Sequence, residues 1–162
     1  MNSLLTPVLA LVTLTLLVWL WMYATRIPAM AKAGIDAQAA RHPGSLDVLP
    51  HPARSLADNY NHLMEQPTIF YALVFYIVLS GHSDATHIYS AWAYVALRAV
   101  HTLVQGTIDI VPMRFLVFTL STLALMVMAA RGDLGPFLAP GGSKKRPGRQ
   151  RRKALIWLDK TG

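Results

Sequence analysis

The first 25 residues of the chain carry no charged side chain, and residues 4–23 are almost entirely Leu, Val, Ala, Thr and Trp. About 20 such residues form a helix that spans the hydrocarbon core of a bilayer. A secretory signal peptide is the alternative interpretation, because Ala29-Met30-Ala31 resembles a cleavage site. The segment lacks a basic start, however, and its apolar run exceeds the usual length of about 7–15 residues. We therefore expect a membrane-spanning first helix.

Three further apolar stretches follow a polar connector at residues 26–55. Residues 66–83 carry no charge, residues 85–108 carry a single one, and residues 115–130 form the last run. The connections between these stretches are short, which makes consecutive helices antiparallel neighbours. The pattern predicts an all-α, multi-pass integral membrane protein built as a four-transmembrane-helix bundle. Its helices are expected at about residues 4–25, 56–81, 85–107 and 112–131.

Charge divides the chain into a neutral body and a basic tail. Charged residues make up 14% of the sequence, against about 25% in typical soluble domains. Residues 1–130 hold six basic and six acidic side chains, whereas residues 131–162 hold nine Lys or Arg and two Asp. We expect one domain over residues 1–131, followed by a flexible tail at 132–162 that contacts anionic lipid headgroups. No nucleic-acid partner is expected.

Membrane orientation is left open by the charges. Four helices would place both termini on one side and the connector at residues 26–55 on the other. The seven basic residues clustered at 144–153 favour a cytoplasmic C-terminus, whereas the four in the connector favour a cytoplasmic connector. The chain has no Cys, so any thiol chemistry must use a thiol from outside.

Polar side chains within the apolar helices mark a candidate site. Arg98 lies inside the third helix, where a central charge costs about 2.5–3.5 kcal/mol on insertion scales, so it must face the bundle. His101 and Gln105 share its helical face, because they follow it by three and seven residues.

The second helix has a matching polar face. Asp58, His62 and Glu65 are spaced by four and three residues, and Asn59 lies one position round. We expect the two faces to meet, with Glu65 and Arg98 as a buried ion pair. Such a pair can simply lock two helices together, which is the structural alternative to a ligand site. A metal site of His62, Glu65 and His101 lacks a convincing ligand set, so no metal is expected.

Arginines near helix ends or polar faces suggest a different ligand. Arg26, Arg98 and Arg114 could converge in an amphiphilic pocket. Guanidinium groups bind carboxylates in bidentate fashion, so this pocket would suit an anionic ligand.

Two segments resemble a known family. DNYNHLMEQP at residues 58–67, followed by IFYAL at 69–73, resembles the second-helix signature of the MAPEG family, the membrane-associated proteins of eicosanoid and glutathione metabolism. AWAYVALRAVH at residues 91–101 is similar to the third helix of that family. Arg114, sixteen residues after Arg98, matches the place of the family's catalytic arginine. The similarity covers about residues 5–131 and is closer to bacterial-type members, which would place the protein in the inner or cell membrane.

The resemblance implies a homotrimer of four-helix subunits that binds glutathione, as a co-substrate, between neighbouring subunits. It also implies that Arg114 is the catalytic residue, because a nearby guanidinium stabilises the reactive thiolate. The residues implied in glutathione binding are Arg26, Asn59, His62, Glu65, Arg98, His101 and Gln105.

The chain departs from the family pattern at three positions. His62 stands at the place of an Asn, and Gln105 and Phe118 stand at the places of tyrosines. The loss of two phenols weakens glutathione contacts and proton donation. Two hypotheses follow: a glutathione transferase-like or peroxidase-like enzyme acting on a lipophilic electrophile, or a non-catalytic lipid-binding or scaffold protein of the same fold. A small transporter has little support, because no pair of helices is broken at the midplane.

Overall fold

The computed structural model of the chain describes residues 4–41 and 44–138, and the regular elements in these ranges are all helices. A short 3-10 turn, Ala37–Arg41, lies in the connector. The predicted all-helical bundle with four long helices is confirmed. These are α1 (Leu5–Lys32), α2 (His51–Ser80), α3 (Ala85–Thr107) and α4 (Val111–Leu138). The basic run at residues 144–153 lies outside the described residues, so its contact with lipid headgroups stays a prediction.

The bounds of α3 agree with the prediction, whereas the other helices are longer. α1 continues past residue 25 to Lys32 and α4 continues past residue 131 to Leu138. α2 begins at His51 rather than near residue 56, with Pro52 in its first turn. The first N–H groups of a helix have no partner inside it, so proline is well tolerated there. Pro50 and Pro52 therefore mark the start of this helix and do not prevent it from forming.

Three of the four helices are long and apolar enough to cross a bilayer, namely Leu5–Lys32, His51–Ser80 and Val111–Arg131. α3, which carries the charged Arg98 and a polar face, does not meet the same measure. Its buried face holds most of the polar side chains of the interior, including Arg98, His101 and Gln105. The polar helix is thus shielded by packing against its neighbours.

The core lies where the four helices meet. Phe70, Val74 and Ile77 form one fully buried stripe of α2, at the spacing expected for a single helix face. The ring of Phe70 stacks on that of Tyr94 from α3, with centroids 4.8 Å apart. Large apolar side chains such as Leu79 point outward instead, as expected for a surface in contact with lipid or another subunit.

The start of α3 is tied to α4 through Asp84. The Asp84 carboxylate accepts a hydrogen bond from the backbone N–H of His87 at 2.9 Å, and the His87 ring accepts from the Asp84 N–H at 3.3 Å. The second carboxylate oxygen accepts from Nε of Arg131 at 3.0 Å. The hydrogen bond from His87 and the proximity of Arg131 hold the pKa of the Asp84 carboxyl below its ordinary value.

The close approach of α3 to α1 at Gly106 gives a first prediction. A Cβ atom at this position would lie 2.8 Å from the Trp21 indole and 3.2 Å from Leu56. We expect Gly106→Ala to lower the free energy of unfolding by about 1–3 kcal/mol through overpacking. Thermal unfolding in detergent measures this, and adding Trp21→Phe should restore part of the loss. A more stable Gly106→Ala protein would contradict the close packing.

Asp84 gives a second prediction, on pH. Its pKa is lower in the folded state, so ionised Asp84 stabilises the fold above about pH 4, and this contribution is lost as pH falls further. We expect Asp84→Ala to cost about 0.5–2 kcal/mol at neutral pH through loss of the helix cap. Unfolding midpoints measured from neutral to acidic pH should fall less steeply in this variant than in the wild type. Equal slopes would show that Asp84 does not contribute.

Candidate functional site

The predicted site residues occupy three different places in the bundle. Arg26 and Arg114 lie at the end where α3 connects to α4, and Glu65 lies on the outside of α2. The remaining five form what we call the interior cluster, between α2 and α3 with α4 alongside. Its members are Asn59, His62, Arg98, His101 and Gln105.

Arg98 is the centre of the interior cluster. It is fully buried, and its Nε donates a hydrogen bond to the Tyr94 hydroxyl at 3.2 Å. The guanidinium carbon lies 4.9 Å from the ring centroid of Phe118 and 5.6 Å from that of Tyr94. Such aromatic faces attract a cation and offset part of its desolvation cost. Phe118, which the sequence presents as a lost phenol, therefore supplies a face for the guanidinium.

The predicted buried ion pair between Glu65 and Arg98 is wrong. The Glu65 side chain is 74% exposed, and its nearest charged partner is His62 at 3.8 Å. Leu63 and Pro67 lie on the buried face of α2, and a residue two positions from each is turned by about 200° around the helix. Glu65 therefore faces outward, and Arg98 has no acidic partner in the described part of the chain.

Several polar atoms around Arg98 also lack partners among residues 4–41 and 44–138. These buried atoms are Nη1 and Nη2 of Arg98, Nδ2 of Asn59, Oε1 of Gln66, and both amide atoms of Gln105. The Asn59 carbonyl oxygen accepts a weak bond from Thr102 at 3.5 Å. Buried polar groups are nearly always satisfied, so each of these atoms calls for an explanation. Donors outnumber acceptors, which favours an anionic ligand.

The two histidines of the cluster meet edge to face. The ring centroids of His62 and His101 are 6.1 Å apart, and each lies about as far from Phe118, at 6.5 and 6.0 Å. Within the described ranges, no group of three or more His, Cys, Asp or Glu is placed to hold a metal ion. The geometry thus gives no support to a metal site of His62, Glu65 and His101.

A second feature is a cavity of about 730 Å³ at the end of the bundle, where the connector packs on α1 and α2. Its volume is within the range of about 300–1,000 Å³ that small-molecule sites occupy. We call it the end cavity. Its lining carries three arginines and three aspartates: Arg26, Arg41, Arg54, Asp47, Asp58 and Asp109. Arg26 lines this cavity and not the interior cluster, so the expected convergence of Arg26, Arg98 and Arg114 is not observed.

Arg114 pairs with Asp109, an aspartate of the end cavity that is not among the site residues predicted from the sequence. Its Nη1 donates to Oδ1 of Asp109 at 2.5 Å, and Nε2 of His51 lies 2.8 Å from Oδ2 of the same carboxylate. Asp109 itself lines the end cavity. Its position in the sequence could have identified it as a candidate site residue, because it is the acidic residue of the short loop between α3 and α4.

Comparison with known proteins gives one result for family and none for individual relatives. The sequence model of the MAPEG family matches residues 4–132. No curated protein and no solved structure matches the chain. The matched range includes all of the interior cluster together with Arg26, Asp109 and Arg114.

The placement of Glu65 gives a third prediction, opposite to the one that a buried ion pair would make. Because Glu65 is exposed, Glu65→Ala should change the free energy of unfolding by less than about 0.5 kcal/mol. Its neighbour Gln66 is the matched comparison, since its amide donates to the Thr122 hydroxyl at 2.7 Å. Gln66→Ala should cost about 1 kcal/mol. Strong destabilisation by Glu65→Ala, measured by thermal unfolding, would contradict this geometry.

Proposed function

Given that the chain belongs to the MAPEG family and is an integral membrane protein, we propose that it is a glutathione-dependent transferase-like or peroxidase-like enzyme. Its second substrate is a lipophilic electrophile dissolved in the bilayer. The observation that carries this proposal is Arg98, a fully buried guanidinium whose two Nη atoms have no partner within the described ranges.

An unpaired buried arginine favours a ligand role over a helix-locking role. A locking role requires an acidic partner inside the bundle, and Glu65 faces outward. The peptide glutathione has two carboxylates, and a carboxylate can accept two parallel hydrogen bonds from one guanidinium. The amides of Asn59 and Gln105, also short of partners, would then bind other polar groups of the peptide. Arg98 would anchor the peptide in the interior cluster.

Arg114 would perform the chemical role. A guanidinium near the glutathione thiol lowers its pKa, because positive charge favours the ionised form. The thiolate then attacks the electrophilic atom of the substrate, a bond from sulfur forms, and the leaving group departs with its electron pair. The proton of the thiol passes to water at the end cavity. Since the chain has no Cys, glutathione is the sole thiol in this reaction.

The membrane would deliver the second substrate from the side. Large apolar side chains of α1 and α4, such as Leu16 and Met126, are exposed on the outside of the bundle. We expect α3 to cross the bilayer with the other three helices, since its polar groups face inward. A homotrimer would complete the site between subunits, as in the family.

A non-catalytic lipid-binding or scaffold role is the second candidate. Gln105 and Phe118 favour it, because neither offers a hydroxyl for proton donation. The Tyr94 hydroxyl weakens this argument for a non-catalytic role, since it accepts a hydrogen bond from Arg98 at 3.2 Å. One phenol therefore lies beside the interior cluster, on a different turn of α3.

Glutathione binding by the detergent-purified protein is the test and the fourth prediction. We expect saturable binding to the wild type by titration calorimetry, and a loss of about 10- to 100-fold in Arg98→Met, equivalent to one charge-assisted interaction. Arg114→Ala should bind glutathione but lose transfer activity. Arg131→Ala is the matched control, because this arginine pairs with Asp84 at the other end of α3. It should bind like the wild type.

Stability separates a binding role of Arg98 from a structural one. Met has a similar volume and no charge, so Arg98→Met should fold at least as stably as the wild type once the unpaired buried charge is gone. A variant that unfolds readily would assign Arg98 to structure. Wild-type protein that is well folded and binds no glutathione would favour the scaffold role.

A further inference from the structure

Asp109 has an unusual backbone for a residue other than glycine. It follows the end of α3 with a φ of 52°, in the left-handed region, and its N–H donates to the Val104 carbonyl at 2.8 Å. Asp tolerates this region better than most residues, although it remains uncommon. Such conformations persist where surrounding contacts hold them, and they cluster at functional sites.

The contacts that hold Asp109 come from two different helices. One carboxylate oxygen accepts from Arg114 in the first turn of α4, and the other lies against His51 at the start of α2. The Asp109 side chain is only 13% exposed, so water screens these contacts less than at an open surface. With both oxygens engaged, the carboxylate has one orientation.

Arg114 depends on this carboxylate for its placement. The described contacts of its guanidinium run through Nη1 to Asp109, and its Nε is buried without a partner in the part of the chain that is described. A free arginine side chain samples many rotamers. Fixing one edge of the guanidinium on Asp109 gives the Arg114 side chain a defined orientation beside a residue that lines the end cavity.

We propose that Asp109 is a positioning residue, which holds the Arg114 guanidinium where the glutathione thiolate forms, while His51 fixes the carboxylate from its other side. This inference rests on the proposed function of Arg114. It adds that the arginine works only in the orientation set by the left-handed loop residue five positions before it. The negative charge of Asp109 by itself opposes thiolate formation, because it offsets part of the positive charge of Arg114. Its contribution is instead to fix the orientation of the Arg114 guanidinium.

Two substitutions of Asp109 separate geometry from charge. Asp109→Asn removes the charge, tolerates the left-handed backbone, and keeps an oxygen for Arg114. Asp109→Gly suits the same backbone and removes the side chain entirely. The readout is the pKa of the thiol of bound glutathione, followed by the ultraviolet absorbance of the thiolate. Asp47→Asn, at another aspartate of the end cavity, measures the effect of removing charge alone.

The two variants should affect this pKa differently. Asp109→Asn should leave the pKa of the bound thiol unchanged or lower, and we expect the same of Asp47→Asn. Asp109→Gly should raise it by about one, a roughly tenfold loss of thiolate near neutral pH, while the thermal unfolding midpoint stays near that of the wild type. The positioning role would be overturned if the pKa of the bound thiol fell in both variants. It would also be overturned if the loss of thiolate in Asp109→Gly coincided with a loss of folded protein.

A second measurement keeps the inference separate from the proposed function. Phenylglyoxal modifies free guanidinium groups, and peptide mass spectrometry reports the rate at Arg114 without glutathione. Asp109→Gly should react several-fold faster there than the wild type, with Asp109→Asn between them. Equal rates would overturn the inference even if glutathione binds. If the wild type binds no glutathione, the proposed function fails, and the rate at Arg114 alone decides whether Asp109 positions it.

Discussion

A charged guanidinium enclosed by a bundle with an apolar outside is the constraint on which the rest of this structure depends. Arg98 cannot face lipid without a large free-energy cost, so α3 must turn its polar face inward and be covered by its neighbours. The covering helices α1, α2 and α4 can then be apolar enough to cross a membrane. The helix that is not among these three candidate spans, α3, thereby contributes the centre of the site.

The two arginines central to the proposed chemistry are stabilised in different ways. Arg98 lies against the rings of Phe118 and Tyr94 and leaves both Nη atoms without partners in the described structure. Arg114 pairs with Asp109 at the edge of the end cavity. An arginine without an internal anion is suited to bind an external one, whereas an arginine held by a carboxylate is suited to act from a defined position. Binding and chemistry would thus be assigned to different residues.

The sequence predicted the number and order of the helices well, because long apolar runs separated by polar segments leave few other choices in a membrane. It predicted the start of α2 poorly, since prolines near a helix start are compatible with the helix. It also placed the end of α1 too early, because this helix continues through Pro28 to Lys32. Among site residues, Arg98, His101 and Gln105 do share a buried face. Glu65 does not join them, because a motif in one dimension does not reveal which of its residues turn inward.

The sequence by itself determined that the chain is a helical membrane protein of the MAPEG family, since hydrophobic length and local motifs are properties of consecutive residues. Only the tertiary structure decided which polar groups meet. It separated Glu65 from Arg98 and placed the ring of Phe118 over the Arg98 guanidinium. It also brought the His51 ring into contact with the Asp109 carboxylate, although the two residues are 58 positions apart in the chain. Such pairings depend on the rotation of each helix about its axis, which packing of the whole bundle determines.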